Sequence, residues 1–111
     1  MPKGITVVDL NSFEPTRAEG RVRYNAITKA KDGAERMSFH LVEPEAGRTG
    51  TAKYESDEIV LVLDGSLTLG WGGKSVKLTK NMLAWIPAGQ EFHFLYGADT
   101  RVIGVYSPAR E

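Results

Sequence analysis

Hydrophobic and polar residues alternate with a period of two along most of the chain, and glycine, asparagine and proline interrupt the pattern at short intervals. This arrangement is typical of many short strands joined by tight turns, as in a β-sandwich or barrel. Helical periodicity is weak, and it suggests only a short turn near residues 11–18. The pattern predicts these strands: Ile5–Leu10, Arg21–Ile27, Arg36–Val42, Gly50–Tyr54, Glu58–Leu63, Ser66–Trp71, Lys74–Leu78, Met82–Ile86, Glu91–Tyr96 and Arg101–Tyr106.

Two glycine-containing turns indicate where neighbouring strands reverse direction. Gly72-Gly73 separates the strand that ends at Trp71 from the strand that begins at Lys74. Both glycines can adopt positive φ, which predicts a tight two-residue hairpin. Asp64-Gly65 predicts a second reversal. No repeat, low-complexity tract or linker interrupts the chain, so we expect residues 1–111 to form a single domain.

Composition and charge narrow the class of partner. A chain of 111 residues has room for one hydrophobic core. The 14 Lys and Arg residues balance 14 Asp and Glu residues, so no broad basic field is available for nucleic acid. The absence of cysteine excludes disulfides and thiolate zinc sites. Because the sequence contains neither a signal-peptide core nor an apolar run long enough for a bilayer, we expect a cytoplasmic protein that binds no membrane.

Glu58 is the first polar residue that needs an explanation. In the strand Glu58–Leu63 it shares a face with Val60 and Val62, and the opposite face is aliphatic. The strand is therefore predicted to be buried on both sides. A carboxylate there costs several kcal/mol unless it is paired, hydrogen-bonded or bound to a metal. In the alternative interpretation Glu58 lies at the rim, solvated or capping a turn.

The two histidines lie in apolar strands. His93 is on the face opposite Phe92, and the sequence leaves open which of those faces is interior. His40 shares a face with Ser38. Such histidines are more often packed and hydrogen-bonded than ligands. If the polar face of each strand lines a cavity, His40, His93 and Glu58 form a two-histidine, one-carboxylate set that suits iron, manganese or zinc.

The spacing that follows Glu58 resembles the first motif of the cupin family, which has a His-x-His pair, a glutamate and, after six more residues, a glycine. Glu58, residues 59–64 and Gly65 match its second half. The positions of the histidine pair hold other residues, either Thr51 and Lys53 or, in the other register, Ala52 and Tyr54. Three histidines and a glutamate bound to one metal are therefore not expected.

The family's second motif, Gly-x5-Pro-x-Gly-x2-His, is resembled by Asn81, Pro87 and Gly89. Phe92 takes the place of its histidine, and His93 follows one residue later. The resemblance covers roughly residues 38–108, and the cupin core of the domain is predicted at about residues 36–108. It is greatest to the histidine-poor cupins similar to those of ethanolamine-utilisation operons. It implies an antiparallel double-sheet jelly-roll barrel, whose mouth holds a small-molecule site.

Cupins include enzymes of many classes as well as binding domains, so the resemblance leaves two hypotheses open. The first is a small-molecule enzyme of lyase, isomerase or hydrolase type with a weak or non-standard metal site. The second is a metal-free, non-catalytic binding or accessory protein of a catabolic operon. Because imidazoles supply most bonds to a cupin metal, a divalent ion (iron, manganese, nickel or zinc) is expected to be weakly bound or absent.

The predicted site follows from these residues. Glu58 and His93 are expected to act as acid–base groups or weak metal ligands, assisted by Tyr54, with His40 as a third ligand. Expected to contact the substrate are His40, Trp85, Phe92 and Tyr106. The N-terminal strand Ile5–Leu10 has an edge that a second copy of the chain can cover, which predicts a homodimer.

Overall fold

The computed structural model describes residues 4–110 of the chain. Strands dominate these residues, and the only helix among them is one turn long. The elements are β1 (Thr16–Ala18), β2 (Arg21–Ile27), α1 (Lys29–Asp32), β3 (Ser38–Pro44), β4 (Thr49–Ala52), β5 (Asp57–Asp64), β6 (Ser66–Trp71), β7 (Lys74–Thr79), β8 (Leu83–Ile86), β9 (Phe92–Tyr96) and β10 (Arg101–Ser107).

The strands form two antiparallel sheets. The larger has the order β1-β2-β3-β10-β5-β8, and the smaller has the order β4-β9-β6-β7. The predicted double-sheet jelly roll is therefore confirmed. Within residues 4–110, however, hydrogen bonds join strands only inside each sheet, so the sheets do not close into the predicted barrel.

The hydrophobic core lies between the two sheets. It is built from inward-facing residues of both layers: Val60, Val62, Leu67, Leu69, Leu78, Ile86, Phe92 and Val102. Strand alternation places these side chains on the facing surfaces, where burying their apolar area stabilises the sandwich.

β5 is buried on one face only, and the prediction of two buried faces is wrong. Glu58, Val60 and Val62 point inward and are 7%, 3% and 0% exposed. Ile59, on the other face, is 47% exposed. It pairs with Trp85 of the edge strand β8, which is exposed as well. The outer face of the larger sheet thus carries an uncovered apolar patch.

The beginning of the described chain differs from the prediction. Residues 5–10 form no strand, and Ile5 and Val7 are almost fully exposed, because no sheet edge of the described chain pairs with them. The first strand is β1 instead, and no helix forms at residues 11–18. The homodimer that was inferred from the N-terminal strand stays a prediction.

The single helical turn, α1, was not predicted. Thr28 caps it by accepting a hydrogen bond from the Lys31 amide at 3.1 Å, and Gly33 ends it with φ of 73°. Among residues 4–110, no helix is long and apolar enough to cross a membrane.

The two sequence motifs are joined by hydrogen bonds at one end of the larger sheet. Asp57 accepts hydrogen bonds from the Ala88 amide at 2.8 Å and from the Trp85 indole at 3.3 Å. The Gly89 amide donates to the Tyr54 carbonyl at 2.8 Å. These contacts hold the loop after β8 against the start of β5, where Glu58 enters the interior.

Candidate functional site

A cavity of about 150 Å³ lies between the sheets and beside the hydrophobic core. Its apolar part is formed by core residues and by the inward rings of β9. Its polar part contains these side chains: Arg21, Arg23, His40, Arg48, Tyr54, Glu58, Tyr96, Tyr106 and Arg110. The cavity therefore gathers many titratable groups in a small space, and such clusters are enriched at functional sites.

Glu58 and Tyr106 lie side by side in the cavity. They are paired across β5 and β10, and both point inward. Burial raises the pKa of Glu58 to about 6, although hydrogen bonding from Tyr106 and the charge of Arg110 oppose the shift. Burial and the neighbouring Glu58 charge also raise the pKa of Tyr106, so its hydroxyl stays protonated and donates to Glu58.

Gly104 leaves the space that this pair occupies. A Cβ atom at this position would lie 3.3 Å from Glu58 Oε2 and 3.4 Å from the Tyr106 hydroxyl. The first distance is tighter than ordinary van der Waals contact, and the second is at its lower limit. Gly104 therefore allows the carboxyl and the phenol to approach each other beside the β10 backbone.

The C-terminal segment supplies one wall of the cavity. The Arg110 guanidinium lies 4.2 Å from the ring centroid of Tyr54 and 4.9 Å from that of Tyr106. Such cation–π contacts hold a positive charge without neutralising it. The backbone of this segment is fixed by hydrogen bonds from Ser56 Oγ to the Pro108 carbonyl at 2.7 Å and from the Arg110 amide to Ser38 Oγ at 2.9 Å.

His40 is held in one neutral tautomer. Its Nδ1 lies 2.8 Å from Asn25 Oδ1, which can only accept, so Nδ1 carries the proton. Its Nε2 lies 3.0 Å from Ser38 Oγ. Since Nδ1 carries the proton of the neutral ring, Nε2 can only accept, so the serine hydroxyl donates to it while its oxygen accepts from the Arg110 amide. Burial and the nearby Arg23 and Arg110 charges lower the pKa of His40 to about 4.

The structure does not bring His93 to Glu58 and His40. On β9, Phe92, Phe94 and Tyr96 point into the cavity, because burying three rings removes far more apolar area from water than burying one imidazole. His93 is therefore on the outside and exposed, where its Nδ1 lies 2.7 Å from Thr51 Oγ1.

The predicted two-histidine, one-carboxylate metal set is therefore not assembled. No group of three or more His, Cys, Asp or Glu side chains within residues 4–110 is placed to hold a metal ion. Both nitrogens of His40 already have protein partners. The register also puts Ala52 and Tyr54, rather than Thr51 and Lys53, on the inner side where the cupin histidine pair is expected. The cavity residues do not fit the cupin metal.

The predicted substrate contacts divide into two groups. His40, Phe92 and Tyr106 line the cavity, as do Glu58 and Tyr54, while their roles stay predictions. Trp85 does not line it. Its neighbour Ile86 is the inward residue of β8, so the Trp85 side chain is 63% exposed on the outer face, and its placement in the pocket was wrong.

The arginines of the cavity were not identified from the sequence. Arg21, Arg23 and Asn25 alternate along β2 with the apolar residues Val22 and Tyr24. That period-two pattern was the available signal. It predicts a strand at Arg21–Ile27 but does not indicate which face is interior, and in the structure the face that carries Arg21 and Arg23 points into the cavity.

Comparisons with known proteins identify the fold. No protein-family model and no curated protein matches the sequence. Among solved structures, an RmlC-like cupin from Shewanella frigidimarina has a TM-score of 0.83 at 15% identity and covers 100% of this chain and 97% of its own. The EutQ protein of Clostridium difficile has a TM-score of 0.75 at 25% identity, over 96% and 90% of the two chains.

The polyketide cyclase RemF from Streptomyces resistomycificus also superposes, with a TM-score of 0.78 at 20% identity over 96% of this chain and 82% of the cyclase. Proteins of this fold thus include an enzyme, but identities this low specify architecture and no single activity. The chain therefore has the double-sheet jelly-roll fold shared by RmlC-like cupins and EutQ proteins.

Proposed function

We propose that the cavity binds a small molecule and that Glu58 transfers a proton to or from it, as part of a lyase, isomerase or hydrolase reaction. The observation that carries this proposal is the buried Glu58 carboxyl facing the cavity beside Tyr106, with its pKa raised to about 6. A carboxyl with such a pKa is about nine-tenths ionised at pH 7, yet its conjugate acid is strong enough to return a proton.

The two groups of the pair have different roles in this proposal. Glu58 accepts the proton. Tyr106, whose pKa is raised, remains a hydrogen-bond donor that can stabilise the ionised carboxylate or a developing oxyanion on the ligand. Tyr54 packs edge-on against Tyr106 at 5.6 Å between centroids and limits how the phenol can turn. No step requires a metal.

A non-catalytic binding protein would bind its ligand in the same cavity but would not catalyse proton transfer to or from that ligand. Exchange of the ligand's carbon-bound hydrogen with the solvent therefore distinguishes the two hypotheses. A thermal-shift screen of small carboxylates, amines and sugars identifies ligands first. Each ligand that stabilises the protein is then incubated with it in D₂O, and exchange of carbon-bound hydrogen is followed by NMR.

We expect exchange to be catalysed by the wild-type protein and lost in Glu58→Gln, which preserves shape but removes the base. Glu91→Gln is the matched control, since Glu91 is exposed and outside the cavity. Exchange that persists at the wild-type rate in Glu58→Gln would refute the assignment of Glu58. Ligand binding with neither exchange nor chemical conversion of any ligand in the NMR spectra would favour the accessory, non-catalytic protein.

A further inference from the structure

The cavity contains more positive charge than its own residues neutralise. Of the residues that the structure describes, four arginines line it, and Glu58 is the only carboxylate among them. Within residues 4–110 the ion pairs are Lys31–Asp32 and Arg101–Glu43, and neither involves an arginine of the cavity. With His40 neutral and Glu58 ionised, the excess is three positive charges in about 150 Å³.

Neutral groups hold these arginines in place. Arg110 stacks on two tyrosine rings, and Arg48 donates from Nη1 to the Glu19 carbonyl at 3.2 Å. Arg21 and Arg23 project inward from the same face of β2. Neither a ring nor a carbonyl cancels a unit charge, so the guanidinium groups are positioned without being neutralised.

The electrostatic consequence is visible at Arg23. Burial and repulsion from Arg21 and Arg110 lower the pKa of its guanidinium. Like charges gathered in a partly desolvated space destabilise one another, and an anion that enters it relieves both effects. Guanidinium groups bind carboxylates through two parallel hydrogen bonds, which adds geometric selectivity to charge.

We propose that the ligand of this cavity is a small dicarboxylate, with a skeleton of about four carbon atoms, held by Arg21, Arg23 and Arg48. Two carboxylates neutralise most of the excess charge. The volume sets the size, because a cavity of about 150 Å³ accommodates a molecule the size of benzene. The inference rests on the proposed function in taking this cavity as the ligand site, and it specifies the ligand's chemical class.

Isothermal titration of the full chain with succinate tests the proposal. Succinamide has the same skeleton without charge, butyrate carries one carboxylate, and inorganic phosphate is a compact anion of a different class. We expect succinate to bind with one-to-one stoichiometry, butyrate at least tenfold more weakly, and succinamide not measurably. Equal binding of succinamide, no binding of succinate, or tighter binding of phosphate would each overturn the proposal.

Substitutions locate the ligand. Arg23→Gln is expected to weaken succinate binding at least tenfold, in line with the loss of a charged hydrogen bond. Arg17→Gln is the matched control: it removes the same charge from the exposed strand β1, next to β2 but outside the cavity, and we expect less than a twofold change. Equal weakening by the two substitutions would mean non-specific attraction. The comparison of ligands on the wild-type chain stays decisive if Arg23→Gln fails to fold.

Glu58→Gln separates this inference from the proposed function. We expect it to bind succinate at least as tightly as the wild type, because it removes a negative charge facing the ligand. Tight succinate binding without proton exchange would leave the ligand class standing and contradict the enzymatic proposal. If succinate does not bind, and a ligand without a carboxylate undergoes Glu58-dependent exchange, the enzymatic proposal would stand and the proposed ligand class would be contradicted.

Discussion

Replacing Glu58 with glutamine is expected to stabilise the folded protein at neutral and alkaline pH. The folded-state pKa of Glu58 is about 6, compared with 4.5 for an ordinary glutamate. Because the pKa is raised, the folded state favours the protonated carboxyl, and this stability is fully present only below about pH 4.5. It is lost as the pH rises through 6. A difference of 1.5 pKa units corresponds to about 2 kcal/mol.

The experiment measures the free energy of unfolding by urea denaturation, with tryptophan fluorescence as the signal, near pH 4 and near pH 8. At each pH, the free energy of unfolding of the wild type is subtracted from that of Glu58→Gln. The readout is the change in this difference between the two pH values, because any effect of the amide that does not depend on pH cancels. We expect a change of about 2 kcal/mol in favour of the variant. Glu91→Gln, an exposed carboxylate, is expected to show none.

A stability difference that stays constant with pH would refute the argument that burial governs the ionisation of Glu58. A difference that grows toward acid pH would show that the carboxylate is stabilised in the fold, and the assignment of Glu58 as a near-neutral base would then fail.

Four further predictions concern other parts of the molecule. His40 is expected to stay neutral with its proton on Nδ1 down to about pH 5, as seen in its ¹⁵N ring shifts, and a titration midpoint above pH 6 would contradict its burial and hydrogen bonds. Gly104→Ala is expected to lower stability by about 1–3 kcal/mol in urea and to slow Glu58-dependent exchange, whereas unchanged values in both assays would show that the close packing is unimportant. His93→Ala is expected to leave ligand affinity and metal content unchanged, since its ring is outside the cavity, and loss of either property would restore it to the site. The exposed patch containing Ile59 and Trp85 leads us to expect a homodimer of about twice 12.2 kDa by light scattering, weakened by Trp85→Ser; a monomeric wild type would contradict this.

The alternation of residues predicted most strands because strand pairing requires the same period that the sequence displays. Seven strands begin and end at or within one residue of their predicted limits: β2, β5, β6, β7, β8, β9 and β10. The prediction of a strand at Ile5–Leu10 was wrong because an alternating pattern favours an extended conformation but does not provide a neighbouring strand. Within residues 4–110, no strand pairs with this segment.

The site was harder to predict because alternation does not indicate which face is interior. On β9 the inward face is the one that carries Phe92, because burying its three aromatic rings removes more apolar area from water than burying His93. That comparison depends on the assembled sheet and not on any single residue. On β2 the inward face is the polar one, since this sandwich encloses a charged cavity at one end. Glu58 was identified because a carboxylate among aliphatic residues is conspicuous, whereas Arg23 on an alternating strand is not.

The hydrogen bond from the Arg110 amide to Ser38 makes the end of the described chain part of the chemistry of His40. The amide donates to the serine oxygen and holds the side chain in the position from which its hydroxyl reaches the unprotonated Nε2 of the imidazole. Deleting residues 108–110 would remove more than a cation from the wall: the serine side chain could rotate away, and Nε2 of His40 would lose its hydrogen-bond donor. Purification tags and fusion partners attached at this end of the fold would lie next to these contacts, so a tag at the opposite end is the safer choice for every assay described above.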